Sequence, residues 1–282
     1  MQLSRLGERA VVVGGGIAGL AAAGVLARRF DQVDLLERDH YEAEPSVRPH
    51  APQGSHAHIL LAGGLLALTR LVPALPAWLD ELGLPEGDLT EHVRVAFAGR
   101  WLPKVRSGVP VRSCTRPQLE HLLLRDVRSR DNIRVNCGCK VLGLDQGRRG
   151  SRVSYEHAGQ QHTVEAPLIV DASGRGSLIG RWLRARGTAT QETAVDAGVL
   201  YTSCTFELPA QVADDWKLLG VMPQMPHDPY SAALMRVGHD RILCAMICYG
   251  RPKAPNTPAE MVERTRLLSV AELYQVLQAA RP

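Results

Sequence analysis

The sequence predicts an α/β protein with a parallel sheet in a first domain and a mostly antiparallel, incomplete sheet in a second. Three observations support this prediction. Residues 10–37 alternate between apolar strand-like runs and a helical segment, and a second apolar run, Leu168 to Val170, enters a loop rich in glycine and serine. Beyond about Thr188 the chain consists of β-like runs separated by Pro and Gly turns. The predicted domains are therefore 1–187, with an inserted segment at about 73–112, and 188–282.

The first element is a strand, Ala10 to Val13, followed by Gly14-Gly15-Gly16-Ile17-Ala18-Gly19 and an Ala/Leu-rich helix. In such a turn Gly14 allows the sharp bend, Gly16 lets the backbone approach a pyrophosphate, and Gly19 lets the helix lie close to the sheet. The start of the helix offers free N–H groups and a positive dipole end to phosphates.

A second apolar run, Val33 to Leu36, ends on Glu37, which lies 18 residues after Gly19. A carboxylate at the tip of this strand can accept hydrogen bonds from both hydroxyls of an adenosine ribose. The order of strand, glycine turn, helix, strand and acid predicts a Rossmann-like domain that binds an adenine dinucleotide, FAD or NAD(P).

Later elements follow the same patterns. A helix is expected from about Ala57 until Pro73 ends it, and another from Thr115. The remaining predicted strands of the first domain are 93–98, 133–135, 141–144 and 153–155. In the second domain the predicted strands are 195–206, 217–222, 231–237 and 242–249, arranged as one antiparallel sheet and followed by two helical segments.

Composition excludes several classes of protein. The net charge of +4 comes from scattered arginines with no basic run, so no nucleic-acid surface is indicated. The six cysteines form no CxxC pair and are expected to be small buried thiols in a reducing cytosol. No metal cluster, no Ser/His/Asp signature and no membrane span is indicated. We therefore expect a cytoplasmic protein.

Three segments together resemble the FAD-dependent monooxygenases of the para-hydroxybenzoate hydroxylase type. These segments are the N-terminal unit ending in Glu37-Arg38, the Arg-x-x-Leu helix that begins with Arg116, and the strand-to-loop segment Leu168 to Ser177. In that family the helix arginine reaches the cofactor and the loop backs the FAD pyrophosphate. The resemblance therefore implies cofactor contacts at Arg116, Asp171 and Gly174, and a backbone contact to adenine at Val141.

The segment Arg48 to His58, with its Pro-Gln-Gly-x-His-x-His pattern, resembles a bacterial branch that includes polyene epoxidases. Two features depart from the family pattern. Ser173 stands where the common motif has aspartate, and the Gly-Asp-Ala motif that holds the ribityl chain is absent, since Gly87-Asp88 occurs too early. We therefore expect a missing C-terminal segment or a partner chain to complete the fold, and exposed apolar surface along residues 231–249.

The resemblance implies that NADPH or NADH reduces FAD and that the resulting hydroperoxyflavin transfers one oxygen atom to an apolar alkene or aromatic substrate, by epoxidation or hydroxylation. No side chain is expected to act as a catalytic residue. Two alternatives stay open: an FAD-dependent reductase of an isoprenoid-like substrate, and a truncated, non-catalytic FAD-binding fragment. Flavin-dependent halogenases share the fold, but their Trp-x-Trp motif is absent.

Several polar residues have two interpretations. His50, His56 and His58 either lie beside the flavin ring or, as we favour, make hydrogen bonds in a loop and helix cap. Arg48 either approaches the flavin or is a solvated loop residue. Asp171 either contacts the cofactor or only forms a turn. Four methionines either line a substrate pocket or, more commonly, fill the core. These are Met222, Met225, Met235 and Met246.

Overall fold

The computed structural model describes residues 4–84, 86–148, 150–209, 212, 215–250 and 253–282. In chain order the strands are β1 (Gly7–Val13), β2 (Phe30–Leu36), β3 (Ile59–Leu61), β4 (Gly87–Asp88), β5 (Val93–Phe97), β6 (Arg100–Trp101), β7 (Pro110–Ser113), β8 (Ile133–Asn136), β9 (Lys140–Gln146), β10 (Ser151–His157), β11 (Gln160–Ala166), β12 (Leu168–Asp171), β13 (Val199–Glu207), β14 (Leu218–Val221), β15 (Tyr230–Arg236) and β16 (Arg241–Tyr249). The α-helices are α1 (Ile17–Leu26), α2 (Ala62–Leu71), α3 (Leu75–Glu81), α4 (Leu89–His92), α5 (Arg116–Arg128), α6 (Ile179–Ala185), α7 (Pro258–Thr265) and α8 (Glu272–Ala279).

The chain divides into two compact units. The first contains residues 1–52 and 117–193, and the second contains residues 53–116 and 194–282. The predicted boundary near residue 187 lies close to the division between residues 193 and 194. Residues 53–116 nevertheless fold with the C-terminal part of the chain, because β5 pairs with β14 in one sheet. The segment predicted as an insertion at 73–112 is therefore part of the second unit's framework.

The first unit is built on a four-stranded parallel sheet in the order β12-β1-β2-β8. The β-branched run Val11 to Val13 forms its centre and is buried, as expected for a strand flanked on both sides. A separate antiparallel sheet, β11-β10-β9, packs its apolar side chains against Val11, Val13 and Leu36. Strand β11 was not predicted, because its polar residues give no apolar run.

The second unit is built on a six-stranded sheet in the order β13-β16-β15-β14-β5-β6. The prediction of one antiparallel sheet is correct for the three pairs formed by β13, β16, β15 and β14. Two strands that were not predicted to join this sheet extend it: β5, which runs parallel to β14, and β6, which pairs antiparallel with β5. The parallel pair arises because β5 comes from a distant part of the chain and not from a hairpin partner. A small three-stranded sheet, β3-β7-β4, belongs to the same unit.

The core of the second unit lies on one face of this sheet. Phe206, Leu234 and Met246 on the strands pack there with Leu273 and Leu277 of α8. The prediction of exposed apolar surface along 231–249 is wrong, because β15 and β16 are interior strands and most of their residues are buried. Exposed apolar side chains of this unit include Leu200 and Tyr201 on the edge strand β13, and Met222 and Met225 after β14. Of the four methionines, Met235 and Met246 fill the core, whereas Met222 and Met225 are exposed.

The helix predicted from Ala57 begins later, at Ala62. Ile59–Leu61 form the short strand β3, because their backbone pairs with β7, a tertiary contact that helical periodicity does not show. Within the described residues, no single helix is long and apolar enough to cross a membrane. The bent pair Ala62–Leu71 and Leu75–Glu81, at 111°, passes that test of length and composition only when its two helices are taken together.

Candidate functional site

The glycine turn joins β1 to α1 with geometry that only glycine allows. Gly14 has φ of +94°, and a Cβ on it would lie 2.6 Å from the carbonyl oxygen of Ala172. A Cβ on Gly19 would lie 1.8 Å from the carbonyl oxygen of Gly14, so a side chain there would push the helix away from the strand. Because both positions exclude a side chain, the helix is held directly against the turn.

The first turn of α1 is open to an anion. Gly16 is the N-cap and makes no side-chain capping hydrogen bond, and the first turn carries no acidic residue. Ile17 and Ala18 are the first two residues of the helix, and Ala18 is exposed. The N–H groups of a first helical turn have no partner within the helix, and the helix dipole favours negative charge there. This arrangement suits a phosphate group.

Glu37 follows β2 and its side chain is folded back onto the glycine turn. One carboxylate oxygen accepts a short hydrogen bond from the Gly15 backbone N–H, and the other accepts one from the Asp39 N–H at 2.8 Å. The residue is 6% exposed. Since each carboxylate oxygen can accept two hydrogen bonds, the oxygen that faces Asp39 retains capacity for a hydroxyl group.

Arg48 is not a solvated loop residue, because it lies at the centre of a buried acidic cluster. Its guanidinium is 2.9 Å from Glu120, 3.2 Å from Glu37 and 3.8 Å from Asp39, and it also donates to the Gly15 carbonyl at 3.3 Å. Burial alone would lower the pKa of Arg48, but Glu120 and Glu37 more than offset this, so its pKa is raised and it stays charged. The solvated alternative is therefore wrong.

Tyr41 completes this cluster beside the glycine turn. Its hydroxyl donates to the Gly15 carbonyl at 2.7 Å, and its ring centroid lies 5.0 Å from the Arg48 guanidinium carbon. Burial, and next the negative charge of Glu37, raise the pKa of Tyr41, so it remains a neutral donor. Through Tyr41 and Arg48, the segment after β2 is fixed to the turn.

Asp171 ends β12 and organises the loop that follows. Its carboxylate accepts hydrogen bonds from the Ser173 N–H at 3.0 Å, the Ser173 hydroxyl at 2.5 Å and the Ser177 hydroxyl at 2.6 Å. Burial would raise the pKa of Asp171, but these hydrogen bonds outweigh it and the pKa is lowered. Ser173, the departure from the family motif, is thus one of the donors that hold the loop.

This loop packs behind the glycine turn. The Ala172 N–H donates to the Val13 carbonyl at 2.8 Å, and Gly174 follows with φ of +72° and open space around its Cα. Val141 on β9 packs against the cluster that includes Val13 and Leu36. The structure therefore brings together Gly14 to Gly19, Glu37, Val141, Asp171 and Gly174, which are distant in sequence.

Two further candidates remain, Arg38 and Arg116. Arg38 is exposed at the end of β2, next to the buried Glu37. Arg116 is the first residue of α5, where the chain passes from the second unit to the first.

The three histidines lie in different surroundings. His50 contacts the Asp39 carboxylate through its ring and its backbone N–H. His56 lies in the second unit, with Nδ1 2.9 Å from the Ser203 hydroxyl, and His58 is exposed and contacts the His56 carbonyl. All three histidines therefore make hydrogen bonds, as the favoured interpretation expected, but none of them caps α2, whose N-cap is Leu61. Among the described residues no group of three or more His, Cys, Asp or Glu side chains could hold a metal ion.

Three members of the cluster around Arg48 were not predicted from the sequence: Asp39, Tyr41 and Glu120. Glu120 gave one signal, because it interrupts the apolar face of α5 formed by Leu119, Leu122 and Leu123, and a buried carboxylate there requires a cation. Asp39 and Tyr41 gave none, since they lie in a loop whose path the sequence does not specify.

The residues at this site fit an adenine dinucleotide. The crowded glycines and the uncapped helix leave room and hydrogen-bond donors for a pyrophosphate, and Glu37 offers an acceptor for a ribose hydroxyl.

Comparisons with known proteins agree with this geometry. The family model described as an FAD binding domain matches residues 8–271. Protein Rv3254 of Mycobacterium tuberculosis is 30% identical over 218 residues, which are 72% of this chain and 45% of that protein. The kynurenine 3-monooxygenase of Salinispora arenicola is 30% identical over 178 residues, which are 63% of this chain and 38% of that protein.

Among solved structures, Pseudomonas aeruginosa PqsL in complex with 2-aminobenzoylacetate matches with a TM-score of 0.69 and 17% identity, covering 97% of this chain and 70% of that one. At this identity the match shows the fold alone. The chain spans less than half the length of each of these two curated relatives.

Proposed function

Because the chain belongs to the FAD-binding domain family, we propose that it binds FAD and contributes to an FAD-dependent monooxygenase reaction on an apolar aromatic or alkene substrate. The observation that carries this proposal is the glycine turn, with its crowded Gly14 and Gly19, its uncapped α1 and the carboxylate of Glu37 beside it. The activity is a proposal, as the substrate is, because the matched residues cover only 45% of the length of Protein Rv3254.

When bound, FAD supplies the redox chemistry, with NADPH or NADH as the proposed reductant. The chain's own residues would hold it. The first-turn N–H groups of α1 would bind the pyrophosphate, and Glu37 would accept a ribose hydroxyl. The loop that Asp171 organises would support the turn from behind. Arg38, Arg48, Arg116 and Val141 remain proposed as residues around the cofactor, with Arg48 acting through Glu37.

The proposed substrate surface is the face of the six-stranded sheet opposite the second unit's core. Tyr201 is exposed on this face and pairs with Ile247 of β16, and Met222 is exposed in the turn after β14. The relative named kynurenine 3-monooxygenase supports hydroxylation of an aromatic ring as the first reaction to test, with epoxidation of an alkene second.

Cofactor binding can be tested without knowing the substrate. The chain is titrated with FAD and, separately, with FMN, which lacks the adenosine part, while flavin fluorescence is measured. We expect FAD to bind at least about tenfold more tightly, since charge-assisted hydrogen bonds contribute about 1.5–3 kcal/mol. Equal affinity for the two flavins, or no binding of FAD, would contradict the proposal.

A pair of matched variants locates the contact. Glu37→Gln is expected to weaken FAD binding about tenfold and to leave FMN binding unchanged, because only FAD carries the adenosine ribose. Glu42→Gln removes an equal charge from an exposed position nearby and should change neither affinity. Oxygen-dependent NADPH oxidation stimulated by aromatic compounds then tests the reaction, and its absence in a chain that binds FAD would favour a non-catalytic cofactor-binding protein.

A further inference from the structure

The segment 56–59 crosses the sheet face that lies opposite the second unit's core. Ala57 and Ile59 pack against a small apolar cluster that contains Met235 and Leu243. His56 lies nearer the sheet edge, with Nδ1 2.9 Å from the Ser203 hydroxyl of β13. This segment therefore forms a wall on a face that is otherwise built by strands.

The strands beneath this wall place small residues in one row. Ser203 pairs with Ala245, Ala245 with Ala233, and Ala233 with Gly220. The row on one side contains Tyr201 and Ile247, and the row on the other contains Leu243, Met235 and Leu218. Side chains two residues apart on a strand share a face, so the small residues form the floor of a shallow apolar trough. Its end at β13 is polar.

His56 is fixed at that polar end. Its Nδ1 is hydrogen-bonded to the Ser203 hydroxyl, and its ring centroid is 6.0 Å from that of Tyr201. Within the described residues Nε2 makes no hydrogen bond. Burial, and next the neighbouring His58, lower the pKa of His56, so the ring is neutral at pH 7. A neutral imidazole has one donor and one acceptor nitrogen, so Nε2 can make one further hydrogen bond.

We propose that His56, held by Ser203, determines specificity by hydrogen-bonding a hydroxyl group on an otherwise apolar substrate that lies in this trough beside Tyr201. A hydroxyl group fits because it can both donate and accept, and therefore matches either tautomer of His56. The apolar floor favours a flat ring system or an extended chain for the rest of the molecule. This inference rests on the proposed function for its assignment of the sheet face to substrate.

The test compares 2-naphthol with naphthalene, which has the same rings without the hydroxyl group. Binding to the full chain is measured in the absence of flavin, from the fluorescence of each probe. Partitioning into an apolar site alone favours naphthalene, whereas a hydrogen bond to His56 should favour 2-naphthol by about threefold to tenfold. Equal affinities, a preference for naphthalene, or no binding of either probe would overturn the proposal.

Variants test the assignment to His56. His56→Phe should abolish the preference for 2-naphthol, and Ser203→Ala should reduce it, because the ring loses the group that orients it. His227→Gln changes a histidine in an exposed loop of the same unit and should keep the preference. A preference that persists in His56→Phe would refute the role of His56. If His56→Phe does not fold, as judged by circular dichroism, the decision rests on Ser203→Ala, in which an undiminished preference would refute it.

A second readout separates a ligand contact from a merely structural role. On addition of 2-naphthol, the ¹⁵N resonance of His56 Nε2 should shift more than that of Nδ1, and naphthalene should not produce this shift. An unchanged Nε2 resonance would contradict the contact. Both variants should bind FAD like the unmodified chain, so a failure of FAD binding tests the proposed function and a failure of hydroxyl selectivity tests this inference.

Discussion

Replacing Arg48 with methionine is expected to destabilise the first unit strongly while preserving the volume of the side chain. In the structure the Arg48 side chain is 6% exposed, and the side chains of Glu37, Asp39 and Glu120 around it are 8%, 4% and 7% exposed. Three buried carboxylates therefore share one guanidinium. Methionine would fill the space and leave all three without that cation.

The magnitude follows from the burial of the partners. Removing one member of a buried ion pair typically costs about 3–5 kcal/mol, mainly because the remaining charge is left buried and uncompensated. With three carboxylates affected, we expect Arg48→Met to lie at the upper end, about 5 kcal/mol. Glu120→Gln should cost only about 1 kcal/mol, since Arg48 keeps Glu37 at 3.2 Å and Asp39 at 3.8 Å.

The assay is urea denaturation followed by circular dichroism, with the free energy of unfolding obtained from the midpoint and slope. The control is Arg184→Met, which removes an exposed pair with Glu192 at 3.8 Å and should cost less than about 0.5 kcal/mol. In the double variant Arg48→Met/Glu120→Gln, the loss should be smaller than the sum of the single losses. A loss below about 1 kcal/mol for Arg48→Met would refute the description of this cluster as a buried ion network.

Three further outcomes are expected. Gly19→Ala should abolish FAD binding or unfold the first unit, because the new Cβ would lie 1.8 Å from a carbonyl oxygen. Gly63→Ala is the control and should be tolerated, because no atom lies within 4 Å of its Cβ. FAD titration measures binding in both variants, and circular dichroism measures folding. Burial would raise the pKa of Asp88, but hydrogen bonds from the loop at 107–108 outweigh burial and lower this pKa. Asp88 therefore contributes to stability above its ordinary pKa near 3.8, and this contribution is lost as the pH falls below that value. Hydrogen exchange at pH 7 should therefore show faster exchange of the loop amides in Asp88→Asn, and unchanged exchange would contradict this role. Thiol titration of the native protein should modify Cys137 and Cys204 first, since the other four cysteines are buried; rapid modification of all six would contradict the fold.

Much of the first unit could be predicted because its signals are local. The run Val11 to Val13, the glycines that follow it and the acid after β2 are close in sequence, and each residue type is required by backbone geometry. Gly14 has the predicted turn conformation, and Gly19 has the predicted close approach to the strand. The buried cluster around Arg48 could not be predicted, because Glu120 lies 72 residues away and no local pattern joins the two.

The sequence by itself determined the βαβ unit, the identity of its glycines and most of the strands, because steric limits on the backbone and alternation of apolar residues act within a few residues. Only the tertiary structure decided that residues 53–116 fold with the C-terminal part of the chain, that β5 pairs parallel to β14, and that His56 lies over Ser203. These features depend on contacts between residues far apart in the chain. Which distant segments pair depends on the burial and hydrogen bonding of the whole unit, and no local spacing records that choice.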